Sequence, residues 1–379
     1  MKQYLTLVAG MLLLLAGCGK ETGPSGLKGE QPISFDVAAA GVQTRSPYEI
    51  DDAKLIGKSI GVFASYTGKL TYENTTVAPD YMYNQEVKHT SASVWEYLPV
   101  KYWPNAEDEY VSFFAYYPYE ADPREGSSSG IIGMSRAVDY GDPWINFRLP
   151  DVDAQVDLMY GQQRKIVDGS YSFTPWLDQT RLGWGEAPLR FTMLHALACI
   201  GDWISVKMDD GLYDRMKGEV DITINNVSIT YRNLTTKGRL VLRSSGSPNW
   251  KEIISGELTC SRTYNSPGLT GKVFSKDATS NPGMMMLVED CGVFYIPMQV
   301  AGTERPAMDI TVNYTVTREV GAQTGSFSDS ATISVPFSIG DAGTKQGIAL
   351  TLSAGFNLSA DIVTDGVYLP GSLTPVPGF

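Results

Sequence analysis

The chain has 379 residues, of which 38 are Gly, 21 Pro and 21 Tyr, with 43% hydrophobic and 19% charged, a profile of many short strands joined by turns. Its net charge of −12 and pI near 4.7 argue against a polyanionic partner such as nucleic acid. Roughly 360 residues remain once an N-terminal leader is set aside, more than one core usually serves, so two domains are expected.

Lys2 followed by YLTLVAGMLLLLAG gives a positive start and an apolar stretch of roughly a dozen residues, too short for a permanent membrane helix. It closes on Leu15-Ala16-Gly17-Cys18, the pattern of a lipobox, so residues 1–17 read as a lipoprotein signal peptide and Cys18 as the lipidated residue. The next segment, GKETGPSGLKGEQP, has nothing to bury and reads as a tether, which would hold the protein on a membrane face. Pro32–Val37 alternates and is the first expected strand.

Ile60–Tyr66 is the next strand, followed by the densest aromatic stretch, with Trp95, Tyr97, Tyr102 and Trp103 set among Pro99 and Pro104. Two readings of Trp95, Tyr102 and Trp103 stay open: core packing, or a platform on which a sugar stacks. In Val111–Tyr117, Val111, Phe113, Ala115 and Tyr117 share one face of an extended chain and Phe114 and Tyr116 the other. Apolar groups on both faces predict a central strand. Asp151, Asp153, Gln155 and Asp157 hint at a calcium loop but lack an EF-hand's Gly and Glu, and no metal is expected.

Near the middle, Pro188–Val206 passes from alternation to a continuous apolar run and reads as a strand entering a buried layer. A short buried helix through Met193–Ile200 fits the same periodicity. His195 reads as a core residue satisfied by nearby backbone, and Cys199 as a small core residue. Strand signals then recur at Val220–Thr230, Gly238–Arg243, Gly256–Cys260, Met284–Val288, Gly292–Gln299, Met308–Thr317, Ile348–Leu352 and Asp361–Leu369, the spacing of a second sandwich. Pro370, Pro375 and Pro377 keep the last ten residues out of any central strand. Beyond Cys18, three cysteines without short spacing argue against a zinc site, and a Cys260–Cys291 bridge is open for an exported chain.

Catalysis finds no constellation. His89 and His195 are the only histidines, and G-x-S-x-G, a phosphate-cradling glycine loop and HExxH are absent. The acids at Asp51-Asp52, Glu107–Glu109 and Glu289-Asp290 read as solvated surface. An enzyme is not expected, nor a cofactor.

W-x-Y-x-P-x-K-Y-W-P from Trp95, F-x-A-Y-Y-P from Phe113, Asp157–Gly161, Phe191-x-x-x-His195-x-Leu197-Ala198 and Phe294–Gln299 follow the lipobox in that order. Together they resemble the fimbrillins, the pilus subunits and related lipoproteins of Bacteroidales. The resemblance implies an all-β chain of two tandem transthyretin-like β-sandwiches, here residues 46–190 and 191–379, behind a tether and removable first strand in 18–45. It implies a surface fimbrium, an outer-membrane lipid anchor and other fimbrial subunits, self or related, as partners. A trypsin-like protease would cut between Arg45 and Ser46 and open a groove, although an arginine here also suits a solvated loop. The C-terminal strand of a neighbouring subunit would fill that groove, with Val363, Thr364, Val367 and Leu369 as candidate inserts. The chain departs from the family at Phe337–Ile348, which lacks the expected tryptophan of the closing turn. The alternative is a permanently lipid-anchored adhesin that binds glycan or host protein and never polymerises.

Overall fold

The computed structural model of the chain describes residues 30–39, 54–91, 94–184, 187–252, 259–266, 269, 271–289 and 291–367. Cys18, Arg45, Ser46 and Leu369 lie outside the described residues.

The first half of the chain forms β1 (Phe35–Ala39), β2 (Ser59–Gly68), β3 (Met82–Ser91), β4 (Val94–Glu96), β5 (Tyr110–Tyr117), β6 (Ile131–Met134), β7 (Trp144–Arg148), β8 (Met159–Val167), β9 (Ser170–Thr174), β10 (Trp176–Gln179) and β11 (Leu189–His195). The second half adds β12 (Ala198–Met208), β13 (Val220–Thr235), β14 (Lys237–Ser245), β15 (Ser247–Lys251), β16 (Thr259–Asn265), β17 (Val273–Phe274), β18 (Met285–Glu289), β19 (Val293–Tyr295), β20 (Ala307–Val320), β21 (Gln323–Pro336), β22 (Thr344–Ser353) and β23 (Asn357–Val367).

Nine strands build the first sheet, in the order β1-β11-β8-β5-β2-β3-β4, with β9 paired to β8 and β10 to β5. The two faces of β5 divide as its alternation requires. Val111, Phe113, Ala115 and Tyr117 enter one core with Phe35, Phe191 and Trp176, while Phe114 and Tyr116 enter a second with Ile145, Phe147 and Leu240.

That second core is closed by a four-stranded sheet, β15-β14-β7-β6. Its halves come from either side of the Ala196-Leu197 crossover: β14 pairs with β7 from Lys237↔Arg148 to Val241↔Trp144. The second sandwich packs β18-β12-β22-β23, with β19, against β16-β13-β20-β21, with β17. Its interior, with Ile204, Val206, Ile229, Ile310 and Leu350, is continuous with the core beneath β14.

The central apolar run is two strands, β11 and β12, and contains no helix. β11 belongs to the first sheet, so the expected boundary after residue 190 falls inside a strand and the chain leaves that sheet at Ala196-Leu197. His195 is buried, but its Nδ1 meets a carboxylate, Asp157 Oδ2 at 2.9 Å, where a backbone partner was expected. Asp157 is thereby turned into the core, away from any calcium loop. Of the strand expected at Gly256–Cys260, Thr259 and Cys260 lie on β16, and residues 256–258 lie outside the described residues. Cys260 sits on β16 while Cys291 lies beside β12 in the facing layer, its thiol donating to the Gly201 carbonyl at 2.8 Å. The Cys260 side chain lies outside the described residues.

Candidate functional site, the seat of the first strand

β1 occupies one edge of the large sheet and pairs with β11 in parallel, from Phe35↔Leu189 to Ala39↔Met193. Alternation decides what β1 and the two residues before it bury: Ile33, Phe35 and Val37 point inward and are less than a tenth exposed, while Ser34 faces solvent. The three inward side chains contribute on the order of 6 kcal/mol of apolar burial. Phe35 is the centre of that set. Its ring lies 5.4 Å from Tyr97, 6.0 Å from Phe113 and 5.8 Å from Phe191, the last stacked.

The aromatic stretch after β4 forms the other wall of the seat. The Ile33 N–H donates to the Lys101 carbonyl and the Trp103 N–H to the Gln31 carbonyl, each at 2.8 Å, so the chain at 31–33 is held from a second side. The Tyr97 hydroxyl donates to the Ile33 carbonyl at 2.7 Å and accepts from the Lys101 N–H at 3.3 Å. Burial pushes that hydroxyl up to about 12, so it stays a donor throughout the physiological range. On the β11 side the Leu189 N–H donates to the Ser34 carbonyl at 2.8 Å.

One ion pair marks the register of β1. Asp36 stands opposite Arg190, with Oδ2 and Nε 3.1 Å apart. Both side chains are partly exposed, so the pair contributes only about 0.2–1 kcal/mol. Arg190 also lines a cavity of about 160 Å³ with Gln163, Arg164, Trp176 and Thr192.

The proposed sugar platform is not assembled. Trp95 is 9% and Trp103 4% exposed: Trp95 stacks on His89 with ring centroids 4.6 Å apart, and Trp103 meets Phe113 edge-on at 5.8 Å. Only Tyr102 of the three is exposed. The donor candidates are likewise engaged within the chain, since β23 pairs with β22 through Val363↔Gly347, Thr364↔Gln346 and Val367↔Thr344. Among the described residues no cluster of three or more His, Cys, Asp and Glu is placed to hold a metal. The roles of Tyr97 and Arg190 were not read from sequence; the alternation of Ile33, Phe35 and Val37 was the signal that a clamped partner surface had to exist.

A family description, fimbrillin-like, matches residues 51–334. The chain belongs to the fimbrillin-like family. This fimbrillin-like chain is 29% identical over 203 residues to the fimbrium subunit Fim1C of Phocaeicola vulgatus, covering 53% of the present chain and 50% of the relative. It thus spans about half the length of that curated relative. A crystal structure of a fimbrial protein from Bacteroides vulgatus superposes with a TM-score of 0.62 at 20% identity, over 88% of this chain and 99% of that one. That likeness concerns the fold. The family match and the fold agree, and the resemblance to fimbrillins is borne out.

Proposed function

We propose that this chain is a fimbrial subunit whose first strand is a placeholder, removed by cleavage after Arg45 and replaced by a strand of a neighbouring subunit. The observation that carries the reading is the seat itself. β1 ends at Ala39, upstream of Arg45, and lies at a sheet edge with its inward residues in one slot, so a single cut would leave it held by non-covalent contacts alone and open to exchange. An incoming strand would regain main-chain pairing with β11 and insert alternate apolar side chains. Lipidation on Cys18 would hold the precursor at the outer membrane until Arg45–Ser46 is cut, in the tandem arrangement of sandwiches that the four sheets support. Neither step asks catalysis or a cofactor of this chain.

A second reading, a permanently lipid-anchored adhesin, is favoured by one observation. Val94, Leu98, Val100 and Tyr102 stand exposed along the outer wall of the seat, Leu98 at 82%. Such a row can contact host protein or glycan.

Arg45→Ala separates the two. A stalk subunit carrying it should keep its N-terminal lipid and give none of the heat-labile ladder that unheated denaturing gels show for strand-exchanged polymer. Normal fibres from that variant would remove the first reading and leave the adhesin.

A further inference from the structure

β21 ends the order β16-β13-β20-β21 and pairs with β20 from Ala307↔Pro336 to Val320↔Gln323 without a register shift. No strand among the described residues pairs with its outer side. Open edges are ordinarily blunted by lysine, by proline within the strand or by a bulge, because their free N–H and C=O groups are a template for another strand. Residues 323–335 hold no lysine and no proline, and their single charge is Asp329. Arg318–Val320 and residues 323–330 are exposed, so the β20–β21 hairpin runs past the core it starts from.

We propose that this edge is a dimer interface, in which β21 pairs antiparallel with β21 of a second copy of this chain about a two-fold axis at Phe327. The pairing leaves β1 and its seat untouched, so it holds whether or not the first strand is replaced. Hydrogen bonding, side chains and charge select the same axis.

The Ser330 N–H donates to the side chain of its own neighbour, Asp329 Oδ1 at 2.8 Å, and so faces away from β20. Every second residue of an antiparallel strand shares that direction, which turns the N–H and C=O of Thr324, Ser326, Ser328 and Ser330 outward. An axis at Phe327 sets Ser326 opposite Ser328 of the second copy and Thr324 opposite its Ser330. Outward groups then meet outward groups.

The same axis brings the two Phe327 rings together at a non-hydrogen-bonded position, where cross-strand side chains approach most closely. Phe327 is a large apolar side chain left exposed by the single chain. On the other face the paired serines and threonines extend a hydroxyl ladder already begun within the chain, with Thr315 and Ser328 2.8 Å apart and Thr311 and Thr332 3.2 Å apart.

Asp329 would stand opposite Gly325 of the second copy. Gly325 is flanked on its inner side by Arg318, and a Cβ at Gly325 would meet nothing within 4 Å. The exposed Arg318 guanidinium, now paired with Glu219 at 2.6 Å, can therefore extend across the glycine to the incoming carboxylate. An axis one residue either way breaks both the ring pair and this ion pair.

The test uses the full chain left uncut at Arg45, so that strand replacement cannot contribute, and follows its mass by sedimentation over a dilution series. We expect a reversible monomer–dimer equilibrium. Ser326→Pro removes an outward N–H and no bond to β20, and should abolish the dimer while the circular dichroism spectrum is unchanged. Ser328→Lys, which needs no backbone change, should do the same. Phe327→Ala should weaken the dimer roughly two- to tenfold. Asp329→Asn and Arg318→Gln should each weaken it roughly two- to fivefold, and together no more than either alone. The axis is read by cross-linking under mild oxidation, above the level of the unsubstituted chain. Phe327→Cys should cross-link with itself, since the pairing brings the two Cα atoms to about 4.5 Å, whereas Ser326→Cys and Ser328→Cys should cross-link when mixed and not alone. A monomer at every concentration, or a dimer that survives both Ser326→Pro and Ser328→Lys, would overturn the interface. Ser326→Cys cross-linking alone faster than Phe327→Cys would overturn the axis.

Discussion

Phe35 and Tyr97 hold the first strand by different physics, and their substitution separates the two. Phe35 fills a pocket of three rings, so Phe35→Ala should loosen β1 by about 3 kcal/mol through lost burial and a cavity. Amide exchange at residues 35–39 should quicken accordingly, whereas Ser34→Ala, at an exposed position, should shift it by no more than about 0.5 kcal/mol. Tyr97 acts through a proton. Its hydroxyl is held near 12 by burial against an ordinary 10, so the folded state favours the neutral donor more than the unfolded state does. That contribution is complete below pH 10 and is lost as pH rises through about 12. Protection of the Ile33 and Phe35 amides should therefore fall across that window, and Tyr97→Phe should flatten the fall. Protection that is constant from pH 9 to 12 in the wild-type chain would refute this role for Tyr97.

Among the elements, β8 and β11 form the floor of the seat, and their close approach depends on one glycine. A Cβ at Gly161 would stand 2.7 Å from the Phe191 ring and 2.8 Å from Ala115, both in the core beneath β1. Gly161→Ala should cost about 1–3 kcal/mol by overpacking and displace Phe191, read as a lower denaturation midpoint and faster trypsin cleavage at Arg45. The glycine's role could not be seen in the sequence, because it depends on which ring lies across it. β5, by contrast, was legible in full, since seven apolar residues in an extended segment dictate two covered faces. Trp95 and Trp103 were legible as a strand neighbourhood but not in their direction, because an aromatic residue alternates in the same way whether it faces a ligand or a neighbouring ring. β21 was missed for a related reason. Its residues 323–330 are exposed and carry one apolar side chain, Phe327, so only the short alternation of Ala331, Ile333 and Val335 was there to detect, and its pairing with β20 is what makes the whole a strand.

At the scale of the molecule, the two sandwiches share parts, which no local pattern announces. β14 and β15 lie beyond the crossover in sequence yet close the core of the first sandwich, with Leu240 beside Ile145 and Phe147. Smaller ties run the same way. The Leu149 N–H donates to the Thr236 carbonyl at 2.8 Å, the Tyr160 hydroxyl to the Gly246 carbonyl at 3.0 Å, and the Trp250 indole to the Ala196 carbonyl at 3.0 Å. Gln155 reaches across to β19, donating to the Gly292 carbonyl at 3.1 Å and accepting from the Phe294 N–H at 2.6 Å. A piece ending at Leu197 would keep every strand of the nine-stranded sheet but expose the Phe114, Tyr116 and Tyr160 face that β14 and β15 cover. We expect residues 19–197 alone to show no cooperative thermal transition and to bind hydrophobic dye, and the intact chain to unfold in a single calorimetric transition with matching van't Hoff enthalpy. A sharp transition from the isolated piece would show that the core around Phe35 and Phe113 suffices without the hairpin. The single transition also bears on assembly. In the fibre proposed above, a subunit under load would then resist as one unit, because β11 and β12 are joined through Ala196-Leu197 and border one continuous core.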